Sequence, residues 1–438
     1  ITPLRHAAGM NRKSGKLNNV SKLQGSARVY GRSFWAAYAS NTALMIAVSL
    51  MFRYSDFVEA IGGNTADLGW ITGLGTAGAI CVRVIQGDAI DRLGARTVWV
   101  LSMSLYVVSL VLHTQIRTVA GIEVYLVCFL MYASLAGAFG SSLTFVSLQA
   151  PPHRVTEVIG MLGSSGFVGM AVGPMIGDLI YSREGAMAPT DALFSWTVHQ
   201  LMWTAAAFAV VSLGTAVIAT WGKVGKPQHV RRRPPSYRLV RKYQPGFLLV
   251  VAAGMGIGIG LFHVFVRPFA EHIGVEHLRV FFLTYSFVAF TVRLSTRTLP
   301  ARLGEDGMIF VGYAAMSLAM LSFVLVDSEW GLVLPALIAG TAHAFLFPAV
   351  VASGCYAFPV RYRGLATTLV LAMFDTGNLI GRPILGQSVA LFESWGWDGY
   401  RVMFVGVAAL LASIATCYAF SKGLIGLGRR TPQVPTPR

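Results

Sequence analysis

Twelve apolar stretches, each long enough to cross a bilayer, fill the chain between about residue 34 and residue 421. A hydrocarbon layer ~30 Å thick takes about 20 apolar residues per helical crossing. Inside it no water satisfies backbone N–H and C=O groups, so spanning segments must be helices or strands of a closed barrel. Stretches this long and this continuously apolar predict helices, and the fold class follows: an all-α integral membrane protein. Composition agrees. Of 438 residues, 55% are apolar and 12% charged, with mean hydropathy +0.61. A soluble domain carries about 25% charged residues.

The net charge of +16 raises nucleic acid as a partner, but the charge lies in the wrong places. With both termini assigned to the cytoplasm, 28 of the 35 Lys and Arg residues fall in the tails and in the loops on that side. That count takes Arg83 with the loop after span two and Arg293 with the loop after span eight. Such a bias sets orientation in a membrane. No basic stretch is interleaved with exposed aromatics, so no nucleic-acid interface is expected. The expected location is the plasma (inner) membrane, multi-pass, with lipid as the solvent of the spans. Trp35, Trp196, Trp221, Trp330 and Trp395 fall at the predicted interfaces, where amphipathic rings anchor.

Residues 222–245 hold eight Lys and Arg, no acid, and prolines at 227, 234, 235 and 245. Proline in a helix interior removes a hydrogen bond and breaks the helix, so this segment reads as a linker. The expected organisation is a cytoplasmic tail at 1–33, six-helix bundles at 34–221 and 246–421, the basic linker between them, and a second cytoplasmic tail at 422–438. Residues 1–33 lack the apolar core of a signal peptide. Cys81, Cys128, Cys355 and Cys417 have no paired spacing, so neither disulfide, metal nor cofactor is expected.

The halves repeat. Val82 through Gly94 aligns without gaps to Val292 through Gly304, 210 residues later, with five of 13 positions identical. Internal repeats of this kind are the build of secondary transporters, with a site between the halves. Within the first copy, Gly87, Asp91, Arg92, Gly94 and Arg96 fit G-x-x-x-D-R-x-G-R-[K/R], with Ala95 where a basic residue is usual. Gly87 permits close approach of a neighbouring helix, and Gly94 permits a turn with φ > 0. In span five, Gly160, Gly169, Gly173, Pro174 and Gly177 fit G-x8-G-x3-G-P-x2-G-G, with Asp178 at the last glycine. Gly69, Gly73 and Ala77 form a further small-residue run in span two, a packing signal in lipid.

Both motifs resemble those of the major facilitator superfamily, over nearly the whole chain. The resemblance implies two pseudo-symmetric bundles, alternating access and a monomer. It also implies that Asp91 locks the cytoplasmic side against span eleven when the outside is open. The glycine motif is associated in that family with exporters and antiporters, which favours efflux. Drug/proton antiporters of the family usually carry an arginine in span four, where this chain reads Met131-Tyr132-Ala133-Ser134 without charge.

Ionisable groups inside hydrocarbon cost several kcal/mol, so each calls for a role. In span eleven Thr368, Asp375, Asn378 and Arg382 fall within about 80° at 100° per residue. That stripe faces protein or water, with Asp375 as the expected proton acceptor. In span one Tyr38, Asn41, Thr42, Ser49, Arg53 and Asp56 fall within about 120°. The repeat pairs Arg53 with His263 in span seven; His343 sits mid-span ten. Asp375, Asn378, Arg382, Tyr38, Asn41, Arg53, His263 and His343 are therefore the candidate substrate or proton-coupling residues. Arg267, beside Pro268, is expected to snorkel from an outer helix end. The surplus of arginine over Asp375 favours an anionic or zwitterionic solute.

The expected function is secondary transport of a small organic solute, coupled to protons. A facilitative uniporter, or a transporter-like sensor that binds without moving its solute, would use the same scaffold. No G-x-x-x-x-G-K-[S/T] loop occurs, and no H-E-x-x-H or G-x-S-x-G motif, so neither ATP-driven transport nor a membrane enzyme is expected.

Overall fold

The structure is a computed structural model that describes residues 30–150, 155–181, 191–222, 236–243, 245–295, 300–359 and 363–423. Most of the two expected tails, and linker residues 223–235 and 244, lie outside these. Helix α1 (Arg32–Leu50) continues through a 3-10 turn into a short helix, Tyr54–Ala60. There follow α2 (Thr65–Leu93), α3 (Ala95–His113), α4 (Glu123–Ser147), α5 (Val155–Tyr181) and α6 (Asp191–Thr220). A two-turn helix, Ser236–Tyr243, lies in the segment expected to be the linker. The second half holds α7 (Leu248–His272), α8 (Arg279–Ser295), α9 (Pro300–Ser322), α10 (Val333–Tyr356), α11 (Arg363–Ser394) and α12 (Gly399–Ser421).

Ten of these helices are long and apolar enough to cross a membrane. The other two are α8, which has 17 residues, and α11, whose 32 residues carry the polar stripe. Many large apolar side chains point away from the protein, among them Leu105, Val210, Phe287 and Leu318. On a water-soluble surface a belt of that kind is a liability; against lipid it is the favourable arrangement. All five tryptophans at the expected interfaces are exposed.

Local chemistry starts and ends the helices. Asn64 caps α2, accepting from the backbone N–H of Ala66 (2.8 Å) and Asp67 (3.1 Å), while Asp67 accepts from Asn64 N–H at 2.9 Å. This reciprocal capping box satisfies donors that the first turn leaves open. Gly94 separates α2 from α3 at φ +83°, and its repeat partner Gly304 breaks α9 near its start at φ +67°. Both lie in the left-handed region that glycine enters without steric cost. The two halves thus keep one turn in common where most of the sequence has diverged.

The halves meet along two seams, α2 against α11 and α5 against α8. On the first, a Cβ at Gly69 would come within 2.5 Å of the Arg382 carbonyl oxygen, and one at Gly73 within 2.6 Å of the Pro383 ring. The small-residue run of span two is therefore the surface on which the second half docks. The glycines of α5 serve a different neighbour. Gly169 faces Met45 and Gly173 faces Ser49, so they seat α1 against α5 within the first half.

Candidate functional site

Between the halves the polar and aromatic side chains form three groups. The first seals the end that carries the Ile61 and Ile273 turns. Arg53 donates to Asp56 (3.1 Å) and Asp178 (2.7 Å), and its guanidinium lies 4.2 Å from the Tyr181 ring centroid. Arg267, from α7, donates to Asp56 at 2.9 Å. Both arginines also donate to the carbonyl of Glu276, at 2.8 and 3.3 Å. Asp178 in turn accepts from the backbone N–H of Leu278 (3.3 Å) and Arg279 (2.9 Å), where α8 begins. Two guanidinium groups and two carboxylates are thus buried together, with the charges balanced. Arg267 does not snorkel: it is 8% exposed and held by a carboxylate of the other half.

The second group lies further along α2 and α11. Asp375 accepts from Arg83 Nε in an ion pair between the halves. Arg83 was assigned above to a loop; it is a helix residue, largely buried by this pair. Arg382 reaches across to the first half, donating to Tyr132 Oη (2.7 Å), Thr76 Oγ1 (3.1 Å) and the Thr72 carbonyl (3.2 Å). The uncharged stretch of α4 therefore receives an arginine from α11 instead of supplying one. Asn378 turns toward Gly260 of α7, where its amide donates to the Phe374 carbonyl at 3.1 Å.

The third group is aromatic. His263 stacks on Phe52 at 4.8 Å, and Phe52 stacks on Phe282 at 4.5 Å. His343 is hydrogen-bonded to the Tyr285 hydroxyl and meets the edge of Phe167 at 5.7 Å. Arg293 of α8 places its guanidinium 5.0 Å from the centroid of the same Phe167 ring. It too was assigned above to a loop, and it too lies inside the helix.

The remaining sequence candidates sit elsewhere. Tyr38 and Asn41 bond to Ser164 (3.2 Å) and Ser165 (2.6 Å) of α5, and Ser49 to the Gly169 carbonyl (2.9 Å). The stripe of span one thus faces α5 along much of its length. Gly87 and Gly160, at the end carrying Gly94, have open space where a Cβ would stand. Gly87 makes no close approach here, because it faces open space, whereas Gln86 beside it is buried against α4, its amide donating to the Ala136 and Gly137 carbonyls. Arg92 is exposed and Arg96 half-buried; the side chains of Asp91, Arg302 and Cys355 lie outside the described residues.

Sequence reasoning passed over Arg83, Arg293, Asp178 and Phe167. The first two had a signal, since Val82-Arg83 and Val292-Arg293 open the repeat at identical positions. Asp178 had one as the departure from the glycine motif. Phe167 had none.

The family model of the Major Facilitator Superfamily matches residues 33–352. The chain belongs to this superfamily. The MFS-type transporter YhhS of Shigella flexneri is 25% identical over 388 residues, covering 87% of this chain and 82% of that protein. A point mutant of the nucleoside transporter NupG superposes with TM-score 0.74 at 14% identity, covering 89% of this chain and 99% of that chain. A bacterial homolog of the human lysosomal transporter Spinster, inward-facing and unoccupied, superposes at 0.68 with 14% identity, covering 90% and 97%. At these identities the structural likenesses establish the fold and leave the substrate open.

Proposed function

We propose that the chain is a proton-coupled secondary transporter of a small organic anion or zwitterion, working by alternating access. The observation that carries this reading is the asymmetry between the two ends. At the Ile61 end the halves are tied by Arg53, Asp56, Asp178 and Arg267. At the Gly94 end Gly87 and Gly160 stand bare. The positive-inside bias makes the bare end cytoplasmic and the state inward-facing. In the opposite state Gly87 would be covered and the buried ion pairs opened.

Asp375 is the proposed proton carrier, since it is a carboxylate within a spanning helix and links the halves through Arg83. Protonating it removes the charge that holds Arg83, which loosens α2 from α11. The remaining charges of the core favour an anion: Arg53 and Arg267 have carboxylate partners, whereas Arg382 is held by neutral groups. Efflux rests on the α5 glycine motif. The test is flux of organic acids in proteoliposomes under an imposed pH gradient, for wild type and Asp375→Asn. Gradient-driven accumulation that disappears in Asp375→Asn supports the reading. Equal accumulation in both removes Asp375 from the coupling, and binding without any flux favours a sensor.

A further inference from the structure

Arg83 and Arg293 occupy equivalent positions of the repeat, yet only one has a counter-ion. Arg83 is neutralised by Asp375 across the halves. Arg293 forms no ion pair among the described residues, and its Nε and Nη2 atoms are buried without any hydrogen-bond partner. The carboxylates nearest the core are already engaged, Asp56 and Asp178 by Arg53 and Arg267, and Asp375 by Arg83. The Arg293 side chain is half-buried, but these two donors have given up water and found no acceptor, which is unfavourable for a charged group.

The two unsatisfied atoms are informative as a pair. Nε–H and one N–H of Nη2 point the same way from one edge of the guanidinium plane, and two parallel donors match the two oxygens of a carboxylate. The surroundings define the rest of the ligand. Phe167 of the first half lies 5.0 Å from the guanidinium and 5.7 Å from the His343 ring. Phe347 lies 5.8 Å from His343, and Tyr285 is hydrogen-bonded to it. The His263 ring, stacked on Phe52, keeps a buried Nε2 without a partner.

We infer that Arg293 is the anchor for the carboxylate of an organic acid whose body is aromatic or otherwise planar and apolar, clamped between the halves by Phe167. This rests on the transport reading and supplies its substrate class. Because Phe167 belongs to α5 and Arg293 to α8, a ligand held by both joins the two halves. A carboxylate also supplies the charge that the repeat lost on this side, where no counterpart of Asp375 engages Arg293.

The test uses the purified full chain in detergent and 3-phenylpropanoate, with 3-phenylpropanamide and benzylphosphonate as comparisons. Binding is read by thermal shift against ligand concentration. The carboxylate is expected to stabilise wild type, the neutral amide to bind at least tenfold more weakly, and Arg293→Lys to weaken the carboxylate at least tenfold. The lysine keeps the charge and removes the fork, and the amide comparison needs no variant at all. Phe167→Leu is expected to weaken binding several-fold. No stabilisation of wild type, equal binding of acid and amide, preference for the phosphonate, or full binding by Arg293→Lys would each overturn the assignment. Counterflow of the labelled acid in proteoliposomes separates this inference from the reading beneath it. Binding that depends on Arg293 without counterflow leaves the site and overturns transport; counterflow unchanged in Arg293→Lys leaves transport and overturns the site.

Discussion

Asp178 accepts from Arg53 Nη2 at 2.7 Å, and the same carboxylate accepts the first backbone N–H groups of α8 from the opposite half. A helix N-terminus carries partial positive charge, so the carboxylate is held by a guanidinium on one side and a helix end on the other. Asp178 stands where the family's glycine motif has a glycine. In this chain one substitution turns a packing position into an inter-half clasp, and it ties α5 to α8 only while the Ile61 end is closed.

Asp178→Gly restores the family residue and is expected to release that clasp. Removing one partner of a buried ion pair costs about 3–5 kcal/mol. A loss of that size, spent on one of two states, shifts their ratio by roughly 100-fold or more. Labelling of a cysteine introduced at Leu278, which is 1% exposed and whose backbone N–H donates to Asp178, should accelerate in Asp178→Gly. An unchanged rate would show that the apolar seams alone hold that end shut.

Arg83→Gln and Asp375→Asn should each lower thermal stability, since each leaves the other group buried and unpaired, at a cost of about 3 kcal/mol. The double variant should recover most of the loss, because it removes both charges. Additive losses in a double-mutant cycle would mean that the two residues act on different partners. Flux in Asp375→Asn should lose its dependence on pH, since the proton acceptor is gone.

Tyr132→Phe deletes the hydroxyl that accepts from Arg382 at 2.7 Å and keeps the ring beneath the guanidinium. A hydrogen bond to a charged group is worth about 1.5–3 kcal/mol. The melting temperature of Tyr132→Phe should therefore fall by several degrees, with Thr76→Val falling less. No change would show that Thr72 and Thr76 alone satisfy Arg382.

Glycines of the same helix should behave in opposite ways. A Cβ at Gly73 meets Pro383 in the state described, so Gly73→Val should destabilise the protein directly. Gly87 faces open space, so Gly87→Val should leave the melting temperature unchanged and still abolish flux by obstructing closure at that end. Flux at the wild-type level in Gly87→Val would mean that α2 and its neighbours never approach there.

The fold was legible because lipid leaves the backbone few choices, and length and apolar character mark ten of the long helices by themselves. The glycine turns at Gly94 and Gly304 were legible because φ > 0 is nearly a glycine property. The site was legible only in part. Asp375 and Arg382 stood out as charges in apolar sequence, whereas Arg83 and Arg293 lie within a turn or two of basic loops, where sequence cannot tell a loop charge from a buried one. Pairing is a property of two helices far apart in the chain. Hence Arg267, read as snorkelling, proved to be held by Asp56, 211 residues away. The polar stripe of span one gave no hint of its neighbour, and that neighbour is α5.

In the proposed cycle the two ends open and close in opposition. Spin labels at Glu59 and Glu276 would report the clasped end, and labels at Asp88 and Leu303 the bare end; all four side chains are exposed. Distances would be measured in nanodiscs at two pH values, for a cysteine-free background and for the same background carrying Asp178→Gly. The first distance is expected to lengthen and the second to shorten together when the clasp is released or Asp375 is protonated. Two distances that stay fixed, or that lengthen in concert, would contradict it.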